Sequence, residues 1–236
     1  EIVRRLIGEI VKAKKKKDFD LILIHGAGSF AHYLTTKYEI GKVYLGSKSN
    51  EGFSKVKLSL AKLNYLIWEE CLRAGLNICP VSVTSVIFTR NGGIKSFDTR
   101  LVEELLKLGI VPLMHGDDTI DETKHISVLS GDKTMSYLAR KLKAEKVIFV
   151  SDVDGVFDRN PKVDKNAKLI KEITKENFQS IIDSMGVFNV NDASGEMKGK
   201  LLAIKRDLEG FRVQIVGGFS GANLGTALTG GESGTT

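Results

Sequence analysis

Apolar residues in this chain fall by turns into helical periodicity and short unbroken runs. Ile2, Val3, Leu6, Ile7, Ile10 and Val11 recur at helical spacing over residues 1 to 13, which predicts an opening helix. Leu21 to Ile24 form a continuous apolar run, the pattern of a strand buried on both faces. It breaks at His25-Gly26-Ala27-Gly28 before another helical pattern begins, giving strand, glycine turn and helix start. Residues 38 to 50, with Gly41, Gly46, Ser47, Ser49 and Asn50, read as a loop. A long helix follows over about 52 to 74, with Phe53, Val56, Leu60, Leu63, Ile67 and Leu72 near one face and Gly75 as its stop.

Asn77 to Val83 is predicted as a second strand, and Val86 to Thr89 and Ile94 to Phe97 flank Asn91-Gly92-Gly93 as a hairpin. Asp98 or Thr99 caps a helix to Leu108, and Ile110 to Met114 is a buried strand ending in His115-Gly116-Asp117. Residues 118 to 129 suggest a short hairpin, and Ser130-Gly131-Asp132 opens a helix with Met135, Leu138, Ala139 and Leu142 inward. Lys146 to Val150 is a further strand, ending in Ser151-Asp152-Val153-Asp154-Gly155-Val156, and residues 157 to 173 read as a loop. Glu176 to Met185 is a short helix, Asp192 opens a helix to about Leu208, Val213 to Val216 is a last strand, and Asn223 to Leu228 a short helix before a glycine-rich tail. This alternation predicts the α/β class, with a mostly parallel sheet covered on both faces. In such sheets ligands bind beyond the carboxyl ends of the strands, where the glycine-rich and acidic clusters here fall.

With 236 residues, 42% of them hydrophobic and 27% charged, the chain suits one large α/β domain or two small ones. No uninterrupted apolar stretch of membrane-spanning length and no signal-peptide pattern is visible, so no membrane partner and a cytoplasmic location are expected. Cys71 and Cys79 lack metal-site or disulfide spacing and read as core thiols. The net charge of +6 gathers only at Lys12 and Lys14 to Lys17, the end of the first helix, and aromatics are 7%. That distribution does not favour nucleic acid, and it suits small anionic substrates.

The turn at Gly26 to Gly28 is the first candidate for chemistry. Glycines allow close backbone approach, and a helix N-terminus offers free N–H groups and the positive end of the dipole to a phosphate. Glycines there also make an ordinary turn, and the spacing matches neither a P-loop nor a dinucleotide fingerprint. His32 follows His25 by about two helical turns, close enough to reach back toward the turn. Asp132 and Asp192 are candidate helix caps, Asp152 and Asp154 candidate turn residues, and Lys198 and Lys200 sit in a first turn where an anion would offset the dipole.

In this order, His-Gly-Ala-Gly-Ser-Phe-Ala-His at 25 to 32, His115-Gly116-Asp117, Ser130-Gly131-Asp132, Ser151 to Val156 and Gly195-Glu196-Met197-Lys198-Gly199-Lys200 resemble the amino acid kinase superfamily. The His25 and His32 doublet makes the isopentenyl phosphate kinase branch the most similar. The resemblance implies a three-layer α/β/α sandwich with a mostly parallel central sheet, an acceptor lobe over 1–145 and a nucleotide lobe over 146–236. It implies ATP with accompanying Mg2+, no resident metal, a small monophosphate acceptor and a homodimer, and so a place in isoprenoid biosynthesis. Gly26, Ala27, His32 and Gly131 match acceptor-phosphate positions. Gly28, Asp152, Val153, Asp154, Gly155, Val156, Glu196, Met197 and Lys200 match the nucleotide side. His32, Lys200 and Asp132 match catalytic positions, Asp132 as the carboxylate that orients phosphate-binding lysines.

Phosphoryl transfer to an existing oxyanion needs positioning and charge neutralisation more than a strong base, which suits this set. Ala27 and Ala31 replace glycines of the superfamily pattern, and Glu196 replaces another. Alanine keeps its N–H, so the cradle survives if φ at Ala27 is negative. The alternatives are another phosphate, phosphonate or carboxylate kinase of the superfamily, and a non-catalytic ligand-sensing domain on its scaffold. The superfamily also opens on a strand with a Lys-x-Gly-Gly-Ser signature. Glu1 already lies in the helix after it, so that strand, with its phosphate-binding lysine, is expected to precede this sequence, and a short apolar end to follow Thr236.

Overall fold

The computed structural model describes residues 1–185, 193–219, 221 and 223–236. It divides into two compact units, Phe19–Met135 and a second made of Glu1–Asp18 with Ser136–Thr236. In chain order the helices and strands are α1 (Ile2–Lys16), β1 (Leu23–His25), α2 (Ser29–Lys37), α3 (Ser47–Arg73), β2 (Ile78–Pro80), α4 (Val83–Val86), β3 (Ile87–Arg90), β4 (Gly93–Phe97), α5 (Arg100–Lys107) and β5 (Val111–His115). They continue as β6 (Asp117–Asp121), β7 (His125–Leu129), α6 (Gly131–Leu142), β8 (Lys146–Ser151), β9 (Val156–Phe157), β10 (Leu169–Ile170), α7 (Lys175–Ser184), α8 (Ala193–Asp207), β11 (Arg212–Gly217) and α9 (Asn223–Leu228). No described helix is long and apolar enough to cross a membrane.

In the Phe19–Met135 unit, β5 is the centre of a parallel sheet in the order β1-β5-β2, and β4-β3-β6-β7 form a second, mostly antiparallel sheet. β5 is buried along its whole length, whereas β1 is only half-buried. The continuous apolar run at 21–24 suggested burial on both faces; β1 pairs with β5 on one edge and with no described strand on the other. Asp121 fixes both hairpin turns, accepting from Asn91 N and Gly92 N on one side and from Thr123 N and Lys124 N on the other. Its burial alone would raise its pKa; those backbone donors outweigh it and hold the carboxyl below its ordinary range.

α3 begins at Ser47, ahead of the expected position 52. The polar run that suggested a loop forms the helix's first turn, and the buried Ser49 hydroxyl accepts the Leu45 N–H at 2.8 Å. Val56 and Leu60 pack with Ala31, Ala27 and Leu34. Gly52 lies against Tyr38, where a Cβ would come within 2.4 Å of the Tyr38 Cβ, so the missing side chain lets the end of α2 close onto α3.

In the other unit β8 and β11 run parallel in register from Lys146 with Arg212 to Ser151 with Gly217. α1 packs with α9: the Glu9 carboxylate accepts Gly225 N at 3.0 Å, and Arg5 donates to the carbonyls of Gly218 and Gly221. The expected lobe boundary near residue 145 put this first helix with the acceptor side, whereas its apolar face and Glu9 bind it to the C-terminal segment. Residues 157–173 are not wholly a loop, because β9 and β10 pair antiparallel within it. The glycine-rich tail is built in as well: Thr235 pairs with Ile215, and its hydroxyl accepts Val156 N and donates to Ile170 O. Cys71 is buried, which pushes its thiol up to about 11, and Cys79 is half-buried.

Candidate active site

Two strand ends and a helix start converge in the Phe19–Met135 unit through backbone alone. His25 and His115 close β1 and β5 as register partners, and Gly116 N donates to His25 O at 3.0 Å. A Cβ on Gly116 would lie 2.8 Å from Gly131 N, and one on Gly131 would lie 3.3 Å from His25 O. Glycine at both positions therefore sets how closely β1, β5 and the start of α6 approach.

Beyond β1, Gly26 is exposed with open space where a side chain would be, and Gly28 takes φ of 50° to cap α2. Ala27 is not among the positive-φ residues, and its methyl packs on the Ala31, Val56 and Leu60 cluster. His32 is exposed on α2 while neighbouring Ala31 is buried. That leaves the His32 imidazole in solvent at a helix start rich in free N–H groups.

His25 is placed differently. Its Nδ1 is 2.9 Å from Gly26 O, its Nε2 3.1 Å from Asn64 Oδ1, and its ring stands 5.2 Å from that of His115. Burial lowers its pKa, outweighing these hydrogen bonds and reinforced by His115, so it is a neutral, packed residue. Asp132 is half-buried in the first turn of α6, whose leading N–H of Lys133 is taken by Ser130 Oγ.

A charged cluster after β5 escaped the sequence reading. Lys57 Nζ on α3 lies 2.6 Å from Asp117 Oδ2 and 2.5 Å from Asp118 O, and it also donates to Thr84 Oγ1. Thr84 Oγ1 reaches Asp117 Oδ2 at 3.3 Å, and His115 Nδ1 stands 3.9 Å from the same oxygen. Burial lowers the pKa of Lys57, and Asp117 and Asp118 work against that. Asp118 is 2% exposed, and among the described residues its Oδ2 has no hydrogen-bond partner. Burial, with Asp117 adding to it and Lys57 opposing, pushes its pKa up to about 7. In sequence Lys57 is one lysine of an amphipathic helix; the available signal was the pair Asp117-Asp118 continuing a buried strand, which demands a cation or a proton.

In the second unit, the segment after β8 is tightly built. Asp152 pairs with Lys162, which, ahead of burial opposing it, lowers its pKa, and Ser151 Oγ donates to Asp152 Oδ1 at 3.3 Å. Val153 is half-buried and Val156 fully buried. Gly155 has φ of 149°, and a Cβ there would meet Thr235 Oγ1 at 2.7 Å. A Cβ on Gly217 would lie 2.0 Å from Asp154 Oδ1, so the end of β11 is glycine where the Asp154 carboxylate crosses it. Lys200 on α8 holds its Nζ 4.7 Å above the Phe149 ring, and Met197 and Lys198 are half-buried nearby in the helix. Asp192 and the Glu196 side chain lie outside the described residues. Among the described residues no group of three or more His, Cys, Asp and Glu gathers for a metal.

The amino acid kinase family model matches residues 1–216. The chain belongs to the amino acid kinase family. It is 33% identical over 226 residues to an isopentenyl phosphate kinase of Methanocaldococcus jannaschii, spanning 94% of this chain and 82% of that protein. It is 30% identical to an isopentenyl phosphate kinase of Methanothermobacter thermautotrophicus, spanning 98% and 87%. A crystal structure of isopentenyl phosphate kinase superposes with a TM-score of 0.83 at 28% identity, over 100% of this chain and 89% of the other. The α/β family fold expected from the alternating pattern is therefore the fold of this chain.

Proposed function

We propose that this protein is an ATP-dependent kinase that transfers the γ-phosphoryl group to isopentenyl phosphate, or to a similar short-chain monophosphate, giving the diphosphate. The observation that carries this reading is the exposed His32 imidazole on α2, one turn from the Gly26–Gly28 cradle, in a chain similar over nearly its full length to kinases of that name.

Each residue's part follows from charge. The amides of Ala27, Gly28 and Gly131 hold phosphate oxygens, and His32 donates to the acceptor phosphate and to the group in transfer, where negative charge must be neutralised. Asp132 orients a lysine on the phosphates. In the second unit Asp152 to Val156 with Glu196, Met197 and Lys200 take the nucleotide; the close approach at Gly155 and Gly217 suits backbone contact with a ligand. Lys200 supplies the cation for ATP phosphates, swinging off the Phe149 ring. Mg2+ accompanying ATP would add to the neutralisation of the phosphate charge.

The protein works as a homodimer in the cytoplasm. Leu58, Ala61, Tyr65, Trp68 and Leu72 leave an exposed apolar stripe at three- and four-residue spacing along α3, a seam suited to a helix of a second copy. ADP release is to be measured with ATP and a panel of alkyl monophosphates, carboxylates and carbamate. Turnover of isopentenyl phosphate supports the reading; turnover of a carboxylate alone would move the chain to another branch of its family.

A further inference from the structure

His25 and His115, register partners at the ends of β1 and β5, make the same contact. Each brings its Nδ1 to the carbonyl oxygen of the glycine that follows it, His25 to Gly26 O at 2.9 Å and His115 to Gly116 O at 3.0 Å. A carbonyl oxygen only accepts, so Nδ1 carries the proton; the other tautomer would set two lone pairs against each other. On the far side of the His25 ring, Nε2 stands 3.1 Å from Asn64 Oδ1 on α3. A half-turn of that amide brings its NH2 to the same place, donating to Nε2 of the neutral ring and fixing the proton on Nδ1.

This bond acts on the peptide that enters the cradle. No described peptide is cis, and in a trans peptide the C=O of one residue and the N–H of the next point in opposite directions. Holding Gly26 O at the His25 ring therefore turns the Ala27 N–H away from that ring. Among the described residues nothing accepts the N–H of Ala27 or of Gly28. Gly26 is exposed, with open space where a side chain would be, so it sets no limit of its own on the peptide. Gly116 N already holds His25 O at 3.0 Å, and the imidazole extends that hold by one residue, up to Ala27.

We propose that His25 is a positioning residue for the acceptor phosphate: its Nδ1–H clamps the Gly26 carbonyl and so aims the Ala27 N–H at a phosphate oxygen. This rests on Gly26 to Gly28 being the acceptor-phosphate cradle.

The test uses two amide variants, assayed with isopentenyl phosphate and ATP. The amide nitrogen of asparagine falls where Nδ1 stands and that of glutamine where Nε2 stands, so His25→Asn keeps the clamp and His25→Gln keeps only the Asn64 contact. His25→Gln is expected to raise the acceptor KM about 10–100-fold, the worth of a hydrogen bond to a charged oxygen, with the KM for ATP unchanged. His25→Asn is expected to recover most of that loss. Equal rises in the two variants, a KM for ATP that climbs in step, or no change in His25→Gln would make His25 a packing residue and overturn the proposal. Proton–nitrogen correlation spectra of the wild-type imidazoles decide the matter if a variant does not fold: a proton on His25 Nδ1 is expected, and the Nε2–H tautomer overturns the clamp. Any of these failures in an active kinase leaves the cradle reading standing. If the wild type phosphorylates no alkyl monophosphate, that reading fails and the part of His25 falls with it.

Discussion

Lys57 and Asp117 form a buried ion pair at 2.6 Å, with the Asp117 side chain 3% exposed and that of Lys57 25%. It ties the long helix α3 to the turn after the central strand β5. Removing the cation leaves two adjacent carboxyls, Asp117 and Asp118, in low dielectric. Lys57→Met is therefore expected to destabilise the protein by about 3–5 kcal/mol, and Lys57→Met with Asp117→Asn by clearly less, since the second change removes the stranded charge. Denaturant unfolding of the single and double variants measures both; equal losses would mean that a stranded Asp117 charge is not what destabilises Lys57→Met.

Asp118 makes stability depend on pH. Its ordinary pKa of 3.8 holds in the unfolded chain, whereas burial and Asp117 raise it to about 7 in the folded one, against the pull of Lys57. Between those values the folded state keeps a proton that the unfolded state has released. The contribution is thus complete below pH 3.8 and is lost as pH rises through about 7. Relative to Asp118→Asn, the wild type is expected to lose stability across that window, with a slope of at most about 1.4 kcal/mol for each pH unit crossed. The buried His25 titrates in both proteins and cancels in the difference. Denaturation midpoints of the pair at several pH values check this, and parallel profiles would refute it.

His32→Ala is expected to lower turnover by about 10²–10³-fold without a change in thermal stability. The ring is exposed on α2 and contributes nothing to the Ala31 core beside it. Steady-state rates alongside a melting curve separate the two effects; unchanged rates would remove His32 from the mechanism.

Gly52→Ala tests the packing of α2 on α3. A Cβ there would sit 2.4 Å from the Tyr38 Cβ and 2.5 Å from its Cγ, and backbone fixes the first of these, so the methyl cannot be absorbed by a rotamer change. The helix gains about 1 kcal/mol in propensity, and the clash costs about 1–3 kcal/mol. Net destabilisation by calorimetry is expected, and a more stable variant would show that Tyr38 can move away.

Much of this protein is legible one segment at a time. The strand, glycine turn and helix at 21–37, the hairpin around Asn91-Gly92, and the α9 helix at Asn223–Leu228 follow from local periodicity and turn chemistry, because those choices are made within a few residues. The motif order from His25 to Lys200 likewise carried the family. Other features depend on partners distant in sequence. The start of α3 at Ser47 needed a buried hydroxyl under Leu45 N, and the order in the glycine-rich tail needed the free edge of β11 and the Val156 N–H. The pairing of Lys57 with Asp117 joins residues sixty positions apart. No periodicity records such a contact, since what selects it is the cost of a buried charge, and that cost exists only once the tertiary structure has excluded water.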